Sequence, residues 1–275
     1  HWGISAWSAY AVIGVPIAYF VYRRGAPLRV STLLTPFLGV DGLDSVWGRL
    51  VDMLAVFATI GGIATSVALV SEQFLAGVSF NWDVAIGAAG PVVFVGGLTL
   101  IFVLSSATGI HRGVRRIASL NIVVFALFAL LLVAFGPRSS LLDRGTTAVG
   151  RYIVHFVPLS LYTGGEWVAE WTVWNWSWWF SWAPFAGLFV AALSRGRRVR
   201  TVVFTSVVAT SAATMAWFLL LGGTALFVQQ SGQADVLAAI SARGGSEAVA
   251  GFPLLAALPL SELFVFLFLA LIVVF

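Results

Sequence analysis

Of the 275 residues, 60% are hydrophobic and only 9% are charged, whereas a soluble globular domain averages about 25% charged, so an ordinary water-soluble fold is excluded. The net charge of +4 comes from arginines clustered between apolar runs, not from one basic face. That pattern reflects positive-inside membrane topology and excludes a nucleic-acid partner. With no cysteine and three scattered histidines, His1, His111 and His155, the chain offers no disulfide framework, thiol nucleophile or spaced metal-ligand set.

In chain order, the first apolar span covers residues 3–22. It carries Trp2, Trp7 and Tyr10 near one end, within about 140° of arc. Arg23, Arg24, Arg29 and Arg49 follow. The second span, 46–74, places Thr59-Ile60-Gly61-Gly62-Ile63-Ala64-Thr65-Ser66 in the middle of an apolar helix. Small residues there permit close helix packing, and the alternative is hydroxyl ligation of an ion. The third and fourth spans are 84–106 and 117–136. Next comes a long connection, 137–171, whose segment 151–170 mixes aromatic, acidic and glycine residues around Gly164-Gly165. It is expected to form a helix lying at the outer interface, at a boundary between groups of spans.

The fifth span, 172–194, is the most informative. Seven of the twelve tryptophans, Trp167, Trp171, Trp174, Trp176, Trp178, Trp179 and Trp182, lie in or just before it. An interfacial aromatic belt accounts for the outer ones. Depth separates the rest: at about 1.5 Å per residue Trp182 lies about 18 Å below Glu170, near the bilayer centre. At about 100° per residue, Trp171, Trp174, Trp178, Trp182 and Phe185 fall within about 80°, with Trp179 at the edge. Such a wall of π-faces suits a cation, each desolvated contact contributing about 2 kcal/mol. A quaternary ammonium, having no N–H to satisfy, fits best. Pro184 removes one backbone hydrogen bond and crowds the Phe180 carbonyl, as in the broken helices of secondary transporters.

The sixth and seventh spans, 201–228 and 252–275, are separated by a second long connection, 229–251. Eleven of the fifteen arginines, including Arg112, Arg115 and Arg116 and also Arg195, Arg197, Arg198 and Arg200, sit on alternate loops, and most acids on the others. The arginine-rich loops are therefore expected to be cytoplasmic, so that the first, fifth and last spans all run from outside to inside. Asp52 and Glu262 sit near span ends, which argues against a relay of buried carboxylates. Gly61-Gly62 and Gly96-Gly97 lack the spacing of a nucleotide-binding loop. No nucleophile–base pair is present, and the chain reads as non-enzymatic. Its start at His1-Trp2-Gly3 and its stop within an apolar run read as those of an internal fragment.

The run from Trp171 to Phe185, WTVWNWSWWFSWAPF, followed by Ser194-Arg-Gly-Arg197, resembles the signature of the betaine/choline/carnitine transporter family. The opening HWGISAWSAY, the segment 56–66 and the segment 108–121 resemble that family in the same order. The resemblance implies an all-α polytopic membrane protein of leucine-transporter-like inverted-repeat fold, with about seven of an expected twelve transmembrane helices. Residues 1–136 would be four spans of the first repeat, 137–171 the external connection, and 172–275 the first three helices of the second. It further implies that Trp178, Trp179 and Trp182 form the main aromatic box, that Trp2, Trp7 and Tyr10 form a second set, and that Thr59 and Phe185 belong to a sodium site. Where sodium-coupled members carry a hydroxyl one turn after Thr59, this chain has Ile63, so sodium, proton or exchange coupling stays open. No other cofactor is expected. The expected function is secondary active transport of a quaternary ammonium compatible solute across the cell membrane by a homotrimer. A substrate-gated channel or sensor using the same box is the alternative.

Overall fold

The computed structural model describes residues 2–107 and 110–274. His1, Thr108, Gly109 and Phe275, and the side chains of Ser105, Ser106 and residues 110–116, lie outside the described residues. With them go His111 and the arginines Arg112, Arg115 and Arg116.

The chain is helical, with no strand among the described residues. In order come α1 (Ile4–Arg24), α2 (Val46–Trp82), α3 (Gly90–Ala107), α4 (Ile110–Phe135), α5 (Arg138–Ser160), α6 (Val173–Leu193), α7 (Val199–Ser231), α8 (Val236–Ser241), α9 (Gly251–Ala256) and α10 (Ser261–Val274). Among the described residues four stretches are both long and apolar enough to cross a membrane: α1, α2, Ile117–Phe135 of α4, and α7. With its 21 residues α6 is about 32 Å long, enough to span. Its tryptophans, each carrying a polar N–H, lower its average hydropathy.

Three elements differ from the apolar segmentation. Helix α2 runs to Trp82 because Glu72 and Gln73, though polar, continue a helix well, and it stops where Asp83 adopts φ 49°. The connection after α4 is helical from Arg138 to Ser160 rather than over 151–170, because Gly165, at φ 86°, turns the chain before α6. The last apolar run is not one helix. Pro259 disfavours helical geometry at Leu258, and Leu260 sits at φ 61°, separating α9 from α10.

Two compact units make up the chain. In the unit formed by His1–Thr65 and His155–Ala216, α1 packs along α6. The buried residues of α1 are mostly small, Ala6, Ala9, Ala11, Gly14 and Ala18 among them, and those of α6 recur every fourth position: Asn175, Trp179, Ala183, Gly187 and Ala191. Small residues let the two backbones approach, as between membrane helices generally. A Cβ on Gly14 would lie 2.8 Å from the Gly187 carbonyl oxygen, and one on Gly187 would run into Ile13. The helices are parallel: Trp2 meets Trp178, Gly14 meets Gly187, and the Tyr22 hydroxyl donates to the Ala192 carbonyl at 3.3 Å. Both spans thus run in one direction, as the arginine pattern requires.

After α1 the chain folds into short 3-10 and helical turns tied to the start of α2. The Ser31 N–H and hydroxyl both donate to Asp52 at 2.8 Å, and Arg29 pairs with Asp44 at 2.7 Å.

The second unit comprises Ser66–Val154 and Trp217–Phe275. Its core joins Phe128 and Leu132 of α4 to α9 and α10. The Phe128 ring meets Phe264 edge-on at 5.8 Å, and Phe252 meets Phe268 at 5.4 Å. Gly77 lies under the Phe252 ring, where a Cβ would have no room.

Candidate functional site

Parallel packing of α1 on α6 brings the two aromatic sets together. The Trp179 ring lies 5.4 Å from Trp2, 5.2 Å from Trp7 and 4.8 Å from Tyr10, all centroid to centroid. The Trp2 and Trp7 contacts are edge-on, the geometry that aromatic quadrupoles favour. Trp179 is consequently only 3% exposed. Trp178, one position earlier and about 100° around the helix, stacks on Trp174 at 5.4 Å and lies 6.4 Å from Trp2. Trp182 meets Phe185 at 6.0 Å. The sequence placed the three α6 tryptophans in one box; in the structure Trp179 is the buried member, and Trp178 and Trp182 are half-buried.

The Trp7 indole N–H donates to the Thr214 hydroxyl at 3.0 Å, which fixes that ring against α7. Trp167, Trp171 and Trp174 are exposed. Helix α6 continues through Pro184 without interruption.

Of the residues implicated in an ion site, Phe185 touches Trp182, and Thr59 lies about one helical turn before Gly62 on α2. The Thr59 hydroxyl donates to the Ala55 carbonyl at 2.8 Å, so its oxygen lone pairs remain available to a cation. Gly62 brings α2 against α6: a Cβ there would lie 2.7 Å from Ser181 Oγ and 3.2 Å from Trp182 Cδ1. Phe185 and Ile63 are exposed. Among the described residues no group of three His, Cys, Asp or Glu side chains converges.

Below the cluster a cavity of about 510 Å³ extends from Trp7 and Tyr10 to Arg197, past Thr205, Ser206 and Thr210. Those hydroxyls donate to carbonyls of their own helix, along a π-helical stretch, Phe204–Ala209. Their lone pairs face a mostly apolar space.

Sequence reasoning passed over Asn175. It is 3% exposed, and neither amide atom has a hydrogen-bond partner among the described residues. The available signal was angular: at about 100° per residue Asn175 falls about 20° beyond Trp182, between it and Trp179.

Apolar helices of bilayer length, a parallel helix pair and an aromatic cluster define a polytopic membrane protein. Comparison with known proteins makes the class specific. Residues 1–275 match the family described as BCCT, betaine/carnitine/choline family transporter, and the chain belongs to that family. Its members are transporters, not enzymes. The chain is similar to a probable glycine betaine transporter of Desulfitobacterium hafniense, 35% identical over 251 residues, which is 88% of this chain and 50% of the relative. It is 34% identical to the glycine betaine transporter OpuD of Bacillus subtilis over 242 residues, 86% of this chain and 47% of that one. With an ectoine/hydroxyectoine transporter of Virgibacillus pantothenticus it shares 32% over 246 residues, 88% of this chain and 48% of the relative. The chain thus spans about half the length of the curated relatives it matches.

Proposed function

We propose that this protein moves quaternary ammonium compatible solutes, of the glycine betaine, choline or carnitine type, across the cell membrane by secondary active transport. The observation that carries this reading is the interlocked ring set of α1 and α6, with Trp179 among Trp2, Trp7 and Tyr10 and the half-buried Trp178 and Trp182 beside it. A desolvated methylammonium against such faces gains about 2 kcal/mol per good contact without a buried carboxylate to balance it. Names of relatives that carry glycine betaine support the same class.

The mechanism we favour is rocking of one helix group against another about a midplane site, in an inverted-repeat architecture. Thr59 and Phe185 are the candidate ion ligands. Ile63 one turn on weakens the case for sodium, which leaves proton coupling or exchange as competing drives. The arginine-rich loops are assigned to the cytoplasm, and a homotrimer is the expected assembly.

Uptake into proteoliposomes reconstituted with the full-length protein tests the reading. Radiolabelled glycine betaine should accumulate above its external concentration under an imposed sodium or proton gradient or, for exchange, when the vesicles are preloaded with unlabelled solute. Downhill equilibration unaffected by either gradient and by preloading would instead identify a channel.

A further inference from the structure

The tryptophan wall of α6 contains one side-chain amide, and it is buried and unpaired. Asn175 lies one turn outward of Trp179, on the same buried face of α6, and both of its polar atoms lack partners among the described residues. The Trp179 indole N–H is unpaired in the same way. Buried polar groups are nearly always satisfied, and those that are not call for a physical reason.

A methylated ammonium cannot supply that reason, because it has no N–H to give and no lone pair to receive. The other end of a zwitterionic solute can. A carboxylate taken out of water needs hydrogen-bond donors, and indole faces have none to offer. Asn175 Nδ2 provides two N–H groups and Trp179 Nε1 a third, on residues four apart, with Cβ atoms about 6 Å from each other. These donors are neutral. An arginine at the same place would bind the carboxylate but repel the ammonium beside it.

We propose that Asn175 is a specificity-determining residue, donating hydrogen bonds to the carboxylate of a zwitterionic solute whose ammonium rests on the tryptophans. The site thereby prefers betaines to cations that lack an anionic end. This inference rests on the aromatic-box reading and is tested so that the two fail separately.

Tryptophan-fluorescence titration of the detergent-purified full-length protein with glycine betaine and with tetramethylammonium provides the test. In Asn175→Leu the Kd for glycine betaine should rise about tenfold while that for tetramethylammonium stays within about twofold. Asn175→Asp, similar in size but negative, should lose glycine betaine further and bind tetramethylammonium more tightly. The readout is the ratio of the two affinities, which general damage to the helix pair does not move. If the leucine variant does not fold, the aspartate variant alone decides, by inversion of the preference or its absence. Equal losses for both ligands, or none for either, overturn the proposal. If tetramethylammonium fails to bind the unmutated protein, or binds Trp182→Leu unchanged, the aromatic box itself is wrong, whatever Asn175 does.

Discussion

Tyr10 and Trp179 lie with ring centroids 4.8 Å apart and ring planes inclined at 44°, although 169 residues separate them along the chain. That contact, repeated by Trp7 and Trp2 on the same indole, makes Trp179 a keystone of the helix pair as well as a member of the candidate site. Trp179→Ala should therefore destabilise the protein by about 3 kcal/mol, the usual loss for a buried large aromatic. A drop in detergent melting temperature checks this. A variant that melts with the unmutated protein would show that the rings do not hold the helices.

Trp182 is half-buried, and its burial changes less on truncation. In Trp182→Leu the expected effect is on binding: solute affinity should fall by at least about tenfold, the loss of one desolvated cation–π contact, with little change in melting temperature. An unchanged fluorescence titration counts against the box.

Close approach of α1 and α6 depends on missing side chains. Gly187→Val places branched methyls where Ile13 already sits, and overpacking of this kind costs about 1–3 kcal/mol or more. The variant should express poorly or migrate as aggregate on size exclusion. Gly61→Ala is the matched control, since a Cβ there meets no atom within 4 Å, and it should behave as the unmutated protein.

The sequence made the helical class legible because apolar runs of bilayer length leave few alternatives, and alternating arginine loops led to the expectation that α1 and α6 run the same way. The parallel course of α1 and α6 agrees with that direction. Boundaries were less legible. Glu72 and Gln73 ended the second apolar run without ending the helix, since hydropathy and helix propensity are different properties. Pro259 carried a visible break signal in the last span, masked by the apolar residues around it. In the site, angle and depth singled out Trp178, Trp179 and Trp182. Only packing distinguishes Trp179, which α1 covers, from its two neighbours. Asn175 was missed because attention to aromatic periodicity hides a polar residue set between two tryptophans of the helix.

Asp52 has a structural task that its place near a span end did not reveal. It accepts from the Ser31 N–H and hydroxyl, both at 2.8 Å, and Arg29 Nε lies 3.7 Å away. Asp52→Ala leaves the Ser31 groups, buried at 0% exposure, without an acceptor, at a cost of about 1–3 kcal/mol. The loop 25–45 should then become sensitive to limited proteolysis, while solute affinity is retained. Loss of affinity with the loop still protected would argue instead for a role of Asp52 in transport.

A pH dependence is expected at the opposite type of loop. Asp235 caps α8: its carboxylate accepts from the Ala238 N–H at 2.9 Å and from the Gln229 side chain at 3.1 Å. Those bonds, the Ala238 one foremost, hold its pKa below the ordinary value of 3.8. The sign follows from which state binds the proton more tightly. With the folded pKa depressed, the cap contributes fully above the ordinary value and is lost as pH falls through the lower, folded one. Gln229 Oε1 also accepts from the Val236 and Leu237 N–H groups, at 2.7 and 3.2 Å, so the first turn of α8 should loosen in acid rather than unravel. Hydrogen exchange at the Ala238 amide, corrected for its intrinsic pH dependence, should lose protection only below about pH 4. In Asp235→Ala the same amide should be unprotected at every pH, and a protected amide in that variant would show that the carboxylate is not the cap.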